Sequence, residues 1–207
     1  MKMLILLASP WNTPIFVIRK KSGKWRLLQD LRKVNEIMEV MGQLQPGLPS
    51  PVVFPQNWEL LVIDLKDCFF SIPLAPQHCC RSAFSVPATN FDRPFEHYEW
   101  AVLPQGMANS PTLCQKFVAQ AIAPLRERYL DVLLLHYMDD LLLAAPSPGL
   151  LQEAFRDLSD LLTNSNLVIS PDKVQKVTSF HYLGCLIDSN QVSYKIPVLA
   201  GHGSSSL

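Results

Sequence analysis

The sequence predicts an α/β (α+β) fold in which an antiparallel sheet is backed by helices. Two long helical patterns with one apolar face occur among short apolar runs of strand length, and proline-rich connections join these segments. The chain has 207 residues, of which 48% are hydrophobic. This length and composition supply a substantial core in one or two domains, so a disordered chain is not expected.

Charge and cysteine usage restrict the class of protein. The 18 Lys and Arg residues balance the 18 Asp and Glu residues. The cysteines are odd in number and have no repeated spacing, which argues against a disulfide framework and for a reducing compartment inside the cell. A metal corner at residues 78–80 is less expected than incidental packing, because no second ligand pair follows. The cysteines are Cys68, Cys79, Cys80, Cys114 and Cys185.

Neither a membrane span nor a secretory signal is predicted. The most apolar segment, residues 130–145, contains His136 and three aspartates, whereas a spanning helix needs roughly 20 apolar residues. The apolar run at residues 4–8 is shorter than the apolar region of a signal peptide and ends before Pro10. We interpret it as an edge strand or as a segment outside the fold.

A basic hairpin is predicted near the beginning of the chain. Residues 15–18 and 25–28 have strand character, and Ser22 and Gly23 provide turn chemistry between them. The segment favours either a polyanion site or an ordinary solvated face. Apart from Asp30, its charged residues are Arg19, Lys20, Lys21, Lys24, Arg26, Arg32 and Lys33.

After the proline-rich residues 45–55, residues 60–65 form an almost continuous apolar run that predicts a central, doubly covered strand. Asp64 interrupts it. A buried carboxylate is costly unless it is paired, protonated or bound to a cation. The alternative role is a cap for the following turn.

The remaining elements follow from local patterns. Several short strands are predicted within residues 73–102, including residues 82–86 and 97–102. Ser110 is predicted to be the N-cap of a helix whose first residue is Pro111, and Pro124 is expected to kink that helix near its end. Ser147 and Pro148 start a second helix. Further strands are predicted at residues 167–169 and 180–187, and a disordered tail at 201–207. The apolar faces comprise Leu113, Phe117, Ala121 and Leu125 in the first helix, and Leu151, Ala154, Phe155, Leu158, Leu161 and Leu162 in the second.

Two adjacent acids interrupt the apolar residues 132–144. In a continuous strand Asp139 and Asp140 would point to opposite faces, so a hairpin turn is required if both face one ligand. A solvated turn is the alternative, but such apolar arms should be buried, and a second buried strand also ends at Asp64. Three converging carboxylates are usually neutralised by Mg²⁺. Two such ions about 4 Å apart activate a hydroxyl and stabilise leaving pyrophosphate, while the basic hairpin could hold a triphosphate.

The segment Tyr137-Met138-Asp139-Asp140 between apolar strands resembles the signature of retroviral reverse transcriptases. Residues 13–26 resemble the fingers hairpin of this family, and residues 103–106 and 109–111 resemble its nucleotide-pocket and following-helix motifs, in the same order and spacing. Residues 11–14 and 28–32 are most similar to endogenous betaretrovirus polymerases of the K group. The similarity extends from about residue 10 to residue 187.

The resemblance implies a right-hand polymerase palm with incomplete fingers. The implied divisions are a non-family N-terminal segment at 1–9, fingers at 10–39 and 72–109, palm at 40–71 and 110–187, and a tail at 188–207. A thumb and a ribonuclease H domain are expected to be absent, so processive synthesis is not expected.

The resemblance also implies site residues. Asp64, Asp139 and Asp140 match the catalytic acids, and with the backbone carbonyl of Leu65 they would bind two Mg²⁺ ions, or Mn²⁺ as an alternative. Phe69 would exclude a 2′-hydroxyl sterically; packing in the core is its alternative role. Lys173 matches a further basic pocket residue, with a solvated lysine almost as good an interpretation. The other implied contacts are Lys20, Arg26, Asp67, Cys68, Gln105 and Met138 for the nucleotide, with Met138 also near the primer terminus, and Tyr137, Tyr182, Leu183 and Gly184 for the primer and template.

The implied function is RNA-directed DNA polymerisation from a dNTP onto a primer paired with an RNA or DNA template, in the cytoplasm or a virus-like particle. A second polymerase chain is a further expected partner, and the ribonuclease activity would belong to the parent polyprotein. Two alternatives stay open: a catalytically inactive relic that binds nucleic acid or a partner, and another Mg-dependent palm enzyme such as an RNA-dependent RNA polymerase.

Overall fold

A computed structural model describes residues 3–6, 9–20, 23–42, 55, 57–88, 90, 92–177, 179–182 and 185–188. The helices in this part of the chain are α1 (Arg32–Ile37), α2 (Cys68–Ser71), α3 (Pro76–Cys79), α4 (Ser110–Arg128) and α5 (Pro148–Asn164). The strands are β1 (Leu4–Leu6), β2 (Ile15–Arg19), β3 (Trp25–Gln29), β4 (Glu59–Lys66), β5 (Phe84–Val86), β6 (Glu96–Trp100), β7 (Leu133–Tyr137), β8 (Asp140–Ala145), β9 (Val168–Ile169), β10 (Gln175–Val177), β11 (Ser179–Tyr182) and β12 (Cys185–Asp188).

Within the described residues, the main sheet has five strands and is antiparallel. Its order is β10-β4-β8-β7, and β9 pairs with the far end of β4. The pairing of β4 with β8 runs from Glu59 opposite Ala145 to Asp64 opposite Asp140. β4 therefore lies inside the sheet, which confirms the prediction of a central strand and fits its apolar sequence.

Helices α4 and α5 cover one face of this sheet. Ile63 and Leu65 of β4 alternate with residues of the opposite face, as a strand period of 2 requires, and they join the larger core cluster. The opposite face has a smaller buried cluster of Leu60, Leu142 and Ala144. The helical residues fully buried in the larger cluster are Cys114, Val118, Ile122, Leu125, Leu151, Ala154, Leu158 and Leu162.

The prediction for α5 is confirmed in its start and its apolar face. The Ser147 hydroxyl accepts a hydrogen bond from the Leu150 N–H at 3.3 Å, and Pro148 is the first helical residue. The hydrogen bond satisfies one of the free N–H groups at a helix start, and the fixed φ angle of proline suits the first helical residue. Buried residues recur along the helix at the spacing of one face, so the helix packs as its sequence pattern indicates.

The prediction for α4 is wrong in two details. Its N-cap is Asn109, because Ser110 is buried and its hydroxyl donates to the Pro104 carbonyl at 2.8 Å. The centre of the buried face is also displaced by one residue: Cys114 and Val118 are fully buried, whereas Leu113 and Phe117 flank them. The helix continues through Pro124 to Arg128 as one element.

A second, three-stranded sheet has the order β1-β6-β5. Leu4 pairs with Trp100, so the apolar beginning of the chain is an edge strand. Phe84, Trp100 and Val102 form a separate buried cluster on this sheet. The predicted strands between residues 73 and 102 correspond to β5 and β6.

The basic hairpin of β2 and β3 is present, with Ile15 opposite Gln29 and Arg19 opposite Trp25. Gln29 joins it to the second sheet: its amide nitrogen donates to the Ser82 carbonyl at 3.0 Å, and its amide oxygen accepts from the Trp100 indole N–H at 2.8 Å. Most residues of the hairpin are exposed, and Trp25 is 69% exposed.

The last described strands, β11 and β12, pair with each other from Ser179 opposite Asp188 to Tyr182 opposite Cys185. Leu183, Gly184 and the predicted tail lie outside the described residues, as does most of the proline-rich connection. Among the described helices, none combines the length and apolar character needed to cross a membrane.

Candidate active site

A two-residue turn separates β7 from β8. Tyr137 pairs with Asp140, which leaves Met138 and Asp139 in the turn. Asp139 lies in the turn and Asp140 begins β8, so no single continuous strand contains both. This agrees with the hairpin turn that the sequence predicted. Met138 has φ 53°, a left-handed conformation that is strained for a residue other than glycine.

Gln115 of α4 supports this turn, and sequence reasoning did not identify it. Its side-chain oxygen accepts from the Met138 N–H at 2.6 Å, and its nitrogen donates to the His136 carbonyl at 3.4 Å. The two contacts bridge the turn and the strand before it, and so hold the strained backbone. A single glutamine on a helix has no local pattern that would have revealed this role.

The strand register brings the predicted acids to one end of the sheet. Asp64 and Asp140 are directly opposite on β4 and β8, so their side chains share a face. The Leu65 N–H donates to the Asp139 carbonyl at 2.8 Å, which ties the turn to the end of β4. Burial raises the pKa of Asp140, and the negative charges of Asp139 and Asp64 raise it further.

Asp64 has a partner on each carboxylate oxygen. The Ser170 hydroxyl donates to Oδ1 at 2.7 Å, and the Lys173 ammonium donates to Oδ2 at 2.8 Å. The hydrogen bond that it donates to Asp64 raises the pKa of Lys173. Lys173 therefore lies at the acidic site, although its side chain is largely exposed. Ser170 is a second residue that the sequence pattern did not indicate.

The donor chemistry of this site suits a divalent ion. Carboxylate oxygens are the ligands that Mg²⁺ prefers, and Asp64, Asp139 and Asp140 supply them from two neighbouring strand ends. Within the described ranges, however, no three His, Cys, Asp or Glu side chains are arranged to hold an ion. Ser170 and Lys173 engage both oxygens of Asp64.

The segment after β4 contains three of the predicted nucleotide contacts. Asp67 has φ 49° and precedes α2. Cys68 is buried, and its sulfur lies 3.3 Å from the sulfur of Cys114, a contact that together with burial raises the pKa of the Cys68 thiol. Phe69 is partly buried against the main core. The cysteine contact anchors this segment to α4.

Arg26 and Gln105 come together although they are far apart in the chain. An Arg26 Nη donates to the Gln105 side-chain oxygen at 2.5 Å, which joins the basic hairpin to the loop before α4. Lys20 lies at the exposed turn of the same hairpin, where its N–H donates to the Lys24 carbonyl at 2.8 Å. Neither residue contacts the aspartates through a described hydrogen bond.

Asn35 of α1 holds the loop that carries Gln105. Its side-chain nitrogen donates to the Gly106 carbonyl, and its oxygen accepts from the Ala108 N–H, both at 2.9 Å. Gly106 has φ 92°, which glycine tolerates at low cost. Asn35 was not predicted as a site residue, because its partners are distant in sequence.

The predicted primer contacts do not all lie in one place. Met138 lies in the turn, and Tyr137 packs on the smaller cluster with Leu142. Tyr182 ends β11, whereas Leu183 and Gly184 lie outside the described residues. The structure therefore brings Tyr137 and Met138 beside the acids, and all the primer assignments remain predictions.

Comparisons with known proteins show the family to which this sequence is similar. Residues 18–187 match the family described as reverse transcriptase (RNA-dependent DNA polymerase). The chain is 57% identical over 187 residues to the Gag-Pro-Pol polyprotein of mouse mammary tumor virus (strain BR6), covering 90% of the chain and 11% of the polyprotein. It is 61% identical over 176 residues to that of sheep pulmonary adenomatosis virus, covering 85% and 10%. It is 59% identical over 184 residues to the Gag-Pro-Pol polyprotein of squirrel monkey retrovirus, covering 89% of the chain and 10% of the polyprotein.

The chain thus spans about a tenth of the length of these polyproteins. The matched region contains both acidic strand ends, the turn between β7 and β8 and the Gln105 loop. Because the family match covers most of the chain and the sheet has the predicted antiparallel architecture, the chain belongs to the reverse transcriptase (RNA-dependent DNA polymerase) family.

Proposed function

We propose that this chain catalyses nucleotidyl transfer from a dNTP to the 3′-hydroxyl of a primer on an RNA or DNA template. The observation that supports this most directly is the register of Asp64 opposite Asp140, with Asp139 in the adjoining turn. Three acids at one sheet end suit the reaction, because in-line displacement at phosphorus creates negative charge that cations must balance.

In this proposal Asp64, Asp139 and Asp140, with the Leu65 carbonyl, hold two Mg²⁺ ions, or Mn²⁺ in their place. Such ions activate the attacking hydroxyl and stabilise the leaving pyrophosphate. Asp64 and Asp139 are the chief ligands. The raised pKa of Asp140 is consistent with a neighbouring rather than a principal role.

The remaining assignments concern the substrates. Lys20 and Arg26 hold the triphosphate, and the backbone of Asp67 and Cys68 approaches it. Phe69 selects against a 2′-hydroxyl by steric exclusion. Gln105 contacts the nucleotide or the template. The primer end is placed by the residues Tyr137, Met138, Tyr182, Leu183 and Gly184.

We assign residues 10–39 and 72–109 to fingers and residues 40–71 and 110–187 to a palm. The flanking residues 1–9 and 188–207 are assigned to neither. Ribonuclease activity on RNA–DNA hybrids is proposed for the parent polyprotein and not for these residues. A thumb supplied by a second polymerase chain, and a location in the cytoplasm or in a virus-like particle, belong to the same proposal.

Primer extension on an RNA template with Mg²⁺ tests the polymerase assignment. Asp139→Asn should lower the extension rate by about 100-fold or more, because an electrostatic group at the reacting centre is removed. Asp131→Asn is a matched control, since Asp131 is an exposed acid before β7, and it should extend at the rate of the unsubstituted chain. Equal rates for Asp139→Asn and the unsubstituted chain would contradict the assignment.

The same assay separates the alternatives. Preference for ribonucleotides over deoxynucleotides would favour an RNA-dependent RNA polymerase, whereas Phe69→Ala should relax a preference for deoxynucleotides. Binding of a primer–template without extension by the unsubstituted chain would favour the inactive binding module.

A further inference from the structure

The segment that follows α5 returns to the catalytic end of β4. Ile169 of β9 pairs with Leu65, and the Ser170 N–H donates to the Asp64 carbonyl at 2.8 Å. A short helical turn, Pro171–Lys173, then leads to β10, which pairs with β4 further back. Residues 169–173 are thus attached by backbone contacts beside Asp64.

The two side chains from this segment differ in how firmly they are held. Ser170 is short, and its own backbone N–H is bonded to Asp64, so its hydroxyl has little freedom to leave Oδ1. The Lys173 side chain is 63% exposed, whereas that of Asp64 is 19% exposed. A long, solvated ammonium can withdraw into water at small cost.

Lys173 also interacts with the other acids at this end of the sheet. Its charge is attracted first by Asp64 and then by Asp139 and Asp140. A divalent ion bound by the same carboxylates would be repelled by an ammonium 2.8 Å from Asp64 Oδ2. The ion and Lys173 therefore cannot both be close to that oxygen.

We propose that Ser170 is a positioning residue that orients Asp64, and that Lys173 is an exchangeable counter-ion that competes with a divalent ion for Asp64 Oδ2. The proposal deepens the proposed function and rests on its metal assignment. The proposal predicts opposite effects of the two side chains on the affinity for a divalent ion. Ser170 holds Asp64 in place as a metal ligand, whereas Lys173 occupies one of its oxygens.

Binding of Mn²⁺ to the full chain, followed by the electron paramagnetic resonance signal of free aqueous Mn²⁺ without nucleic acid, tests the competition. Lys173→Met should tighten the dissociation constant about two- to fivefold, the size of an exposed ion pair. Lys173→Arg retains the pair and should bind like the unsubstituted chain. Lys176→Met is the charge-matched control: Lys176 on β10 pairs with Glu59 at the other end of β4, and its loss should leave Mn²⁺ binding unchanged.

Ser170→Ala should weaken Mn²⁺ binding by about tenfold, because residues that orient a metal ligand usually contribute at least this much. In an Asp64→Asn background the Lys173→Met effect should vanish. An unchanged or weaker affinity for Lys173→Met, equal tightening by Lys176→Met, or tighter binding by Ser170→Ala would overturn the proposal.

These outcomes are distinguishable from failure of the proposed function. Mn²⁺ affinity that does not depend on Asp64 would refute the metal assignment itself and, with it, the competition. The expected shifts in affinity without primer extension would support the competition while refuting polymerase activity of this chain.

Discussion

His136 shows how a buried polar residue acquires a defined protonation state. Its Nδ1 lies 3.0 Å from an Arg126 Nη, and its Nε2 lies 3.3 Å from the Gln115 carbonyl oxygen. Because a guanidinium only donates, Nδ1 must accept and Nε2 must carry the proton. Burial lowers the pKa of His136, and the charge of Arg126 acts in the same direction.

The lowered pKa predicts a pH-dependent stability. A histidine whose pKa in the folded protein lies below its unfolded value stabilises the fold above about pH 6.5, and this stabilisation is lost as the pH falls through the lowered pKa. We expect the free energy of unfolding to decrease below pH 6.5 by at most about 1.4 kcal/mol per pH unit from this residue. Urea unfolding at several pH values measures it, and His136→Gln should flatten this part of the profile. An identical slope in the variant would contradict the prediction.

At the residue scale, the sequence identified the acids that the fold brings together, and it missed the residues that support them. Asp64, Asp139 and Asp140 were identifiable because each interrupts an apolar run, where an unpaired carboxylate is costly. Gln115, Asn35 and Ser170 have no such contrast with their neighbours. Their roles follow from hydrogen bonds to residues far away in the chain.

At the scale of single elements, α4 protects the open edge of the main sheet. β7 is the last strand in the order β10-β4-β8-β7, and unpaired edge groups invite association with other chains. Arg126 donates from Nε and an Nη to the Leu134 carbonyl at 3.3 and 3.1 Å. Gln115 similarly donates to the His136 carbonyl. The helix thus satisfies edge carbonyls as well as burying its apolar face.

Arg126→Met should lower the free energy of unfolding by about 1.5–3 kcal/mol, the usual contribution of a hydrogen bond from a charged group. Thermal or urea unfolding measures the loss. Arg128→Met is the control on the same helix: Arg128 is 65% exposed in its ion pair with Asp157, and its loss should cost under about 1 kcal/mol. Equal effects of the two substitutions would argue against the edge contact.

The hydrogen bonds from Asn35 of α1 to the Gln105 loop lead to a second prediction at this scale. Asn35→Ala removes hydrogen bonds to Gly106 and Ala108 and should destabilise the protein by about 1–3 kcal/mol. The dNTP concentration needed for half-maximal extension should also rise, because the loop that presents Gln105 loosens. Lys33→Ala on the same helix breaks only an exposed pair with Glu36, and should change neither measurement appreciably. Unaltered stability of Asn35→Ala would disprove the link.

Elements with strong local patterns were predictable. The hairpin of β2 and β3 and the capped helix α5 follow the periodicities of their sequences. The start of α4 was misplaced because the hydroxyl of Ser110 bonds to the Pro104 carbonyl instead of capping the helix. Local propensity was correct about the helix, and a tertiary contact decided its first residue.

For the whole molecule, neutral charge conceals an uneven distribution. The formal net charge is zero, yet the exposed hairpin of β2 and β3 contains Lys20, Lys24 and Arg26 while the aspartates lie at the end of β4. Affinity for a polyanion should therefore depend on the hairpin rather than on the net charge.

Binding of a primer–template should weaken with salt, and Lys20→Gln and Lys24→Gln should each reduce the magnitude of the negative slope of log K against log salt by about 0.7–0.9. Fluorescence anisotropy over a range of salt concentrations measures this slope. Lys116→Gln should leave it unchanged, because Lys116 is exposed on α4, across the sheet from the aspartates. A uniform effect of all three substitutions would indicate binding governed by overall charge.

The sequence by itself determined the class of fold, the hairpins, α5 and the three acids, because each depends on periodicity or on a break in it over a few neighbouring residues. Only the tertiary structure decided that Asp64 lies opposite Asp140, that Ser170 and Lys173 engage Asp64, and that Gln115 supports the strained Met138. The physical reason is that sheet register and side-chain hydrogen bonds join residues distant in sequence, and packing of the whole core selects among the pairings that local patterns allow.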